Sequence, residues 1–125
     1  MHEFKVYVSN QPGELARVTE ALAGSAVNIR ALASEGGAPK PFLRIVTNDV
    51  ATTKKALKVA GFSYEQNGIL TVQLIDRPGE LAKVARRLAR ARVNVESIYI
   101  LGSKGGKKEI AMVVDEEKKA LKLLK

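Results

Sequence analysis

The chain has 125 residues, is 46% hydrophobic and 27% charged, and carries a formal net charge of +8, the profile of one globular domain or of two very small ones. Cysteine is absent, which excludes a disulfide framework, thiol catalysis and any cysteine-ligated metal site. No apolar run approaches the roughly 20 residues of a bilayer-spanning helix, and the N-terminus enters a strand pattern with no secretory signal, so a soluble, cytoplasmic protein without membrane association is expected.

Phe4, Val6 and Val8 alternate with Lys5, Tyr7 and Ser9, which predicts a half-buried strand. His2, the only histidine, is expected to be a solvated residue at a frayed end. Pro12 is expected at the first helical position, where its fixed φ fits and its missing N–H is not needed. Glu14 follows where it can cap free N–H groups and oppose the helix dipole. Leu15, Val18 and Leu22 recur at helical spacing and predict a stripe facing a sheet. A second strand is expected from Val27, a turn at Gly36-Gly37, and a third strand over Phe42–Thr47. A second helix would stop at Gly61, a fourth strand would cover Phe62–Glu65, and Asn67-Gly68 would mark a join.

Beyond that join the chain repeats itself. Residues 12–32 read PGELARVTEALAGSAVNIRAL and residues 78–98 read PGELAKVARRLARARVNVESI, with ten of 21 positions identical at an offset of 66. Leu70, Val72 and Leu74 restate the first strand, and Leu81, Val84 and Leu88 restate the stripe. The second strand is expected from Val93, a loop over Gly102–Gly106, and the third strand over Ile110–Val114. KKAL recurs at 54–57 and 118–121, and the chain ends at Lys125, inside or just after that helix. The fold class is therefore α+β: two ferredoxin-like βαββαβ sandwiches in tandem, residues 1–67 and 68–125, the second lacking its last strand. A sheet edge left open in this way has to be covered by another element or another chain.

Little of this composition supports catalysis. Serine and threonine have no histidine partner, so a Ser-His-Asp arrangement is not available. Asp115-Glu116-Glu117 is the densest acidic run, and it sits at a helix start, where acidic residues stabilise the dipole. No enzyme activity, metal or cofactor is expected.

The repeated turn says more. It closes a strand and opens a helix, presenting unpaired N–H groups beside a positive dipole end, a natural seat for a carboxylate. Gly13 and Gly79 allow close backbone approach. Asn10 and Asp76 either contact a ligand or only cap the helix, and Asn28 and Asn94 either approach the turn or only satisfy the helix's last carbonyls. The residues leave both pairs open.

Basic residues concentrate at Lys83, Arg86, Arg87 and Arg90, flanked by Arg77 and Arg92. They fall opposite the apolar stripe, as a solvated face or an anion footprint would. No aromatics interleave with them, and the third strands, FLRIVT and IAMVV, lack the exposed aromatics of RNA-reading sheets. The alternative function left by this face is a basic interaction module for nucleic acid or an acidic protein partner through Lys83–Arg92.

The doubled pattern of strand, (Asn/Asp)-x-Pro-Gly-Glu-Leu, helix, Val-Asn-(Ile/Val) and strand resembles the ACT domain, a small-molecule-sensing module of amino-acid metabolism. The resemblance spans about 120 of the 125 residues and implies a stand-alone, tandem, non-enzymatic regulatory protein. ACT domains pair side by side and bind an amino acid or another small effector near the first strand–helix turn. Carried over by position, this implicates Asn10, Gln11, Pro12, Gly13, Glu14 and Leu15, with Asn28 and Ile29. In the second copy it implicates Asp76, Arg77, Pro78, Gly79, Glu80 and Leu81, with Asn94 and Val95. Serine-sensing members carry a histidine where Val8 and Leu74 stand, so the resemblance points toward a ligand with an apolar side chain. Many members have glycine where Ala26 and Arg92 stand; if that position has positive φ, each substitution costs on the order of 1 kcal/mol. A homodimer of four ACT units and a regulated protein partner are the implied assembly.

Overall fold

The computed structural model describes residues 1–124. It divides into two compact units, Met1–Gly68 and Ile69–Lys125, each built on its own sheet and core.

Unit 1 contains β1 (His2–Tyr7), α1 (Glu14–Gly24), β2 (Ile29–Glu35), β3 (Phe42–Thr47), α2 (Val50–Val59) and β4 (Tyr64–Gly68). Its sheet has the order β2-β3-β1-β4, with every pairing antiparallel. In register, Phe4 faces Ile45 and Val6 faces Leu43. One sheet face therefore presents a continuous apolar row, and Val18, Leu22, Ala56 and Leu57 of the two helices close over it. Full burial of each valine or leucine among them contributes about 1.5–3 kcal/mol, which a unit this small needs. Tyr64 adds an edge-to-face contact with Phe4 at 5.7 Å. On the opposite face, the buried carboxylate of Glu3 accepts from Arg44 and from Asn67 Nδ2, each at 3.0 Å. Those charge-assisted bonds offset the desolvation of an acid with no exposed surface.

Unit 2 repeats the scheme with β5 (Leu70–Ile75), α3 (Glu80–Arg90), β6 (Val95–Lys104), β7 (Lys107–Val114) and α4 (Glu117–Leu124). Its sheet has three strands in the order β5-β7-β6. Leu70, Val84, Leu88, Val93, Ile110, Met112 and Ala120 form its core. No fourth strand follows α4 among the described residues, so β5 is an edge of its sheet. The β6–β7 hairpin turns on two glycines alone, Gly105 and Gly106, at φ 60° and 76°. Two residues of positive φ match the twist of paired strands, which only glycine does without strain.

Several local expectations shift. His2 is not frayed: it opens β1, opposite Thr47 of β3 and Gly68 of β4, and its buried Nδ1 has no hydrogen-bond partner. Neither proline is helical, because Gly13 and Gly79 take the N-cap positions and the helices start one residue later. Val27 and Val93 are not strand residues but end the helix caps, and β2 and β6 begin at Ile29 and Val95. β4 starts at Tyr64 and runs through Asn67-Gly68, so the join falls after Gly68. The loop expected over Gly102–Gly106 is strand as far as Lys104.

Three helices end in one way. After α1, the N–H of Ala26 bonds the Ala23 carbonyl and that of Val27 bonds Leu22; after α3, Arg92 bonds Ala89 and Val93 bonds Leu88. Gly61 and Phe62 do the same after α2. This doubled bond requires positive φ at its first residue, observed at Gly61 (83°), Ala26 (57°) and Arg92 (59°). Only the first is a glycine; the other two hold a strained side chain.

Candidate functional site

The two Pro-Gly-Glu-Leu turns share one backbone. Gly13 (φ 93°) and Gly79 (φ 87°) stand as left-handed N-caps, and no side chain caps either helix. A Cβ on either glycine would meet nothing within 4 Å, so it is the positive φ, not crowding, that calls for glycine. Matching turn bonds run from Gln11 N–H to the Ser9 carbonyl and from Arg77 N–H to the Ile75 carbonyl. First-turn N–H groups lacking a side-chain partner are the physical feature that would receive a carboxylate.

The side chains around these turns are wired differently. Glu14 accepts from the Ser9 backbone N–H at 2.9 Å and from Arg17 at 2.6 Å. Those bonds, the backbone one foremost, hold its carboxyl below the usual glutamate range. Glu80 instead accepts from Arg77 Nε at 2.6 Å and Lys83 Nζ at 3.2 Å, which lower its pKa in that order. Asn10 lies against the β2–β3 hairpin, where its Oδ1 is 2.9 Å from the place a Cβ on Gly36 would take. Asp76 pairs with Lys108 at 3.1 Å, and its N–H bonds the Gly106 carbonyl.

Each turn borders a cleft. In unit 1 the cleft has a volume of about 330 Å³, and Val8, Ser9 and Glu14 line it with Tyr7, Arg17, Lys40 and Phe62. Lys40 Nζ lies 3.9 Å from the Tyr7 ring centre and the Arg17 guanidinium 4.7 Å from that of Phe62, distances at which a cation is held over an aromatic face. Tyr7 donates its hydroxyl to Glu65, which raises its pKa. In unit 2 the cleft is near 80 Å³ and joins Asp76, Arg77, Glu80 and Leu81 to Leu74, Ile100 and Lys108. Val8 and Leu74 therefore set apolar surface beside both turns.

Leu15 and Leu81 depart from the expected stripe. They are 49% and 42% exposed, while Val18, Leu22, Val84 and Leu88 carry the burial. Asn28 and Asn94 are exposed and line neither cleft. The helix carbonyls, the other role open to them, are taken by the backbone N–H groups of the caps. The Asn94 main chain instead bonds Asp115 in both directions, at 2.9 and 3.2 Å. Ile29 and Val95 pair with Thr47 and Val114 and lie half-buried against their units' cores. Gln11, Pro12 and Pro78 are exposed turn residues. Tyr7, Lys40, Phe62, Ile100 and Lys108 were not anticipated; register and hairpin length bring them to the turns, and no spacing in the chain announces it. No group of three or more His, Asp or Glu positioned for a metal ion occurs among the described residues, and none of their helices is long and apolar enough to cross a membrane.

Residues 68–125 match the family model of the ACT domain. No curated relative matches the chain by sequence. Among solved structures, a protein from Bacteroides thetaiotaomicron is similar with a TM-score of 0.88 at 26% identity, covering 98% of this chain and 85% of that one. The regulatory subunit of aspartate kinase from Thermus thermophilus, in a ligand-free form, reaches 0.68 at 18% identity over 98% of this chain and 88% of its own. The corresponding subunit from Thermus flavus reaches 0.64 at 21% identity with the same coverage. The aspartate kinase subunits share the fold.

Proposed function

We propose that the chain is a tandem pair of ACT-type modules, residues 1–67 and 68–125, acting as a non-enzymatic regulatory protein. It binds a small effector, an amino acid with an apolar side chain, at the Pro-Gly-Glu-Leu turns. The observation that carries this reading is a coincidence found in both units: a helix start with no side-chain cap beside a leucine left 49% or 42% exposed. The N–H groups suit the ligand's carboxylate, Asn10 or Asp76 its ammonium, and Leu15 with Val8, or Leu81 with Leu74, its side chain. The ACT match over residues 68–125 supports the assignment, and a regulatory subunit of aspartate kinase uses the same fold.

The ligand acts by selecting one arrangement of paired units, which a protein partner reads. The strands β2 and β6 are edges of their sheets, and Leu32, Ile98 and Ile100 on them are exposed. Two chains pairing along these edges would form a homodimer of four modules. The test is thermal melting against each common amino acid at millimolar concentration. At 100 times its Kd a ligand adds about 2.7 kcal/mol, a shift of several degrees for a protein this size. We expect leucine, isoleucine or valine to produce that shift and Asn10→Ala to reduce it. Silence across the panel would sink the amino-acid reading.

A further inference from the structure

The excess of positive charge is concentrated on one surface. Helices α3 and α4 carry seven Lys/Arg and two Glu, against four Lys/Arg and two Glu on α1 and α2. Of these cations, Lys83 is engaged with Glu80, and Arg87 donates to the Leu123 carbonyl at the end of α4. The two helices pack against each other, and that bond spans them. Arg86, Arg90, Lys118, Lys119 and Lys122 are exposed and form no ion pair among the described residues. The acids nearby are Glu80, already holding two cations, and Asp115, Glu116 and Glu117 at the start of α4.

The internal repeat shows that this charge is not required by the fold. In unit 1 the residues that α1 contributes to the groove beside α2 include Glu20, Ala21 and Gly24. At the offset of 66 their counterparts are Arg86, Arg87 and Arg90. A small, nearly neutral groove wall in one copy is an arginine wall in the other, on the same scaffold.

We propose that the α3–α4 face of unit 2 binds the phosphate backbone of a nucleic-acid duplex without reading its sequence. Arginine's planar fork matches phosphate oxygens bidentately, and backbone contacts alone supply non-specific affinity. Neither helix carries an aromatic side chain, so the face has no means of stacking on bases. It also lacks the aromatic and apolar centre on which protein interfaces rest. On these two helices exposed leucine is confined to Leu81, at the start of α3, and Leu121.

The test is fluorescence anisotropy of the full chain with a labelled mixed-sequence duplex of about 20 base pairs. With roughly four phosphates contacted, affinity should fall about 100-fold between 50 and 200 mM salt. A second duplex of unrelated sequence should bind within about twofold. Arg86→Glu with Arg90→Glu should weaken binding at least about tenfold and reduce the salt slope by about 2. Lys118→Glu with Lys122→Glu should do the same from the neighbouring helix, which keeps the proposal testable if the arginine variant folds poorly. Lys54→Glu with Lys58→Glu on α2 makes an equal change in net charge and should leave binding unaltered. No binding at 50 mM salt would overturn the proposal, as would an equal loss in the α2 variant. Poly-glutamate bound as tightly as the duplex would also overturn it, by assigning the face to an acidic protein segment.

Discussion

The turn of unit 1 and the turn of unit 2 are one backbone with two sets of side-chain partners. Both place a left-handed glycine before the helix and give its first turn no side-chain cap. Glu14, however, reaches back to a main-chain N–H, whereas Glu80 sits between two cations. Asn10 rests on a hairpin glycine, whereas Asp76 is ion-paired. Four residues therefore specify the turn's path, and the residues around it decide which charges and polar groups flank it. The aromatic-walled cleft lies in unit 1, where Phe62 comes from the segment leading into β4, a strand without a counterpart among the described residues of unit 2.

The largest effect that would break this equivalence is at the N-cap glycines. Because a Cβ meets nothing at either site, Gly13→Ala and Gly79→Ala should each cost only the left-handed backbone strain, about 1–2 kcal/mol. Denaturant melts of the two variants should agree; unequal losses would show that the turns are not the same device. Next come the helix ends. Ala26→Gly and Arg92→Gly should each stabilise the protein by about 1 kcal/mol, read as a rise in Tm, with a fall in either showing that the side chain contributes more than its strain.

The smallest effect is electrostatic. Both glutamates have depressed pKa values in the folded protein. Their contribution is therefore present above the ordinary glutamate pKa and is lost as pH falls through the lower folded value. Salt should separate the two copies, since Glu80 depends on exposed cations and Glu14 chiefly on a backbone donor. Glu14→Gln, which keeps an acceptor for Ser9 and loses one ion pair with Arg17, should flatten the salt dependence of Tm less than Glu80→Gln, which loses two. Identical responses would erase the distinction.

The architecture was legible because the chain states it twice. Alternation in Phe4–Val8 and Leu70–Leu74, the Pro-Gly punctuation and the spacing of Val18 and Leu22 all mark local structure, and the repeat aligns one copy against the other. The orientation of Leu15 and Leu81 was not legible, since periodicity marks them as core while their place at the very start of the helix carries them past the sheet's cover. The clefts were not legible either. Lys40 meets Tyr7, and Arg17 meets Phe62, only once the hairpin length and the β1–β4 register are set, and such pairings between distant residues leave no periodic trace. Arg92 illustrates a different case: its place in the pattern is plain, but its positive φ follows from the backbone bonds that close α3.

The contact between Asn10 and Gly36 couples two positions that are far apart in the chain. Any side chain at 36 would need the space within 2.9 Å of the Asn10 amide oxygen, and that amide would have to swing away. Residue 36 thus acts on the first turn from a distance: its substitution would change where the Asn10 amide points. A larger residue at 36 would be tolerated best alongside a smaller one at 10. Substitutions at the two sites should therefore be non-additive in their effect on stability.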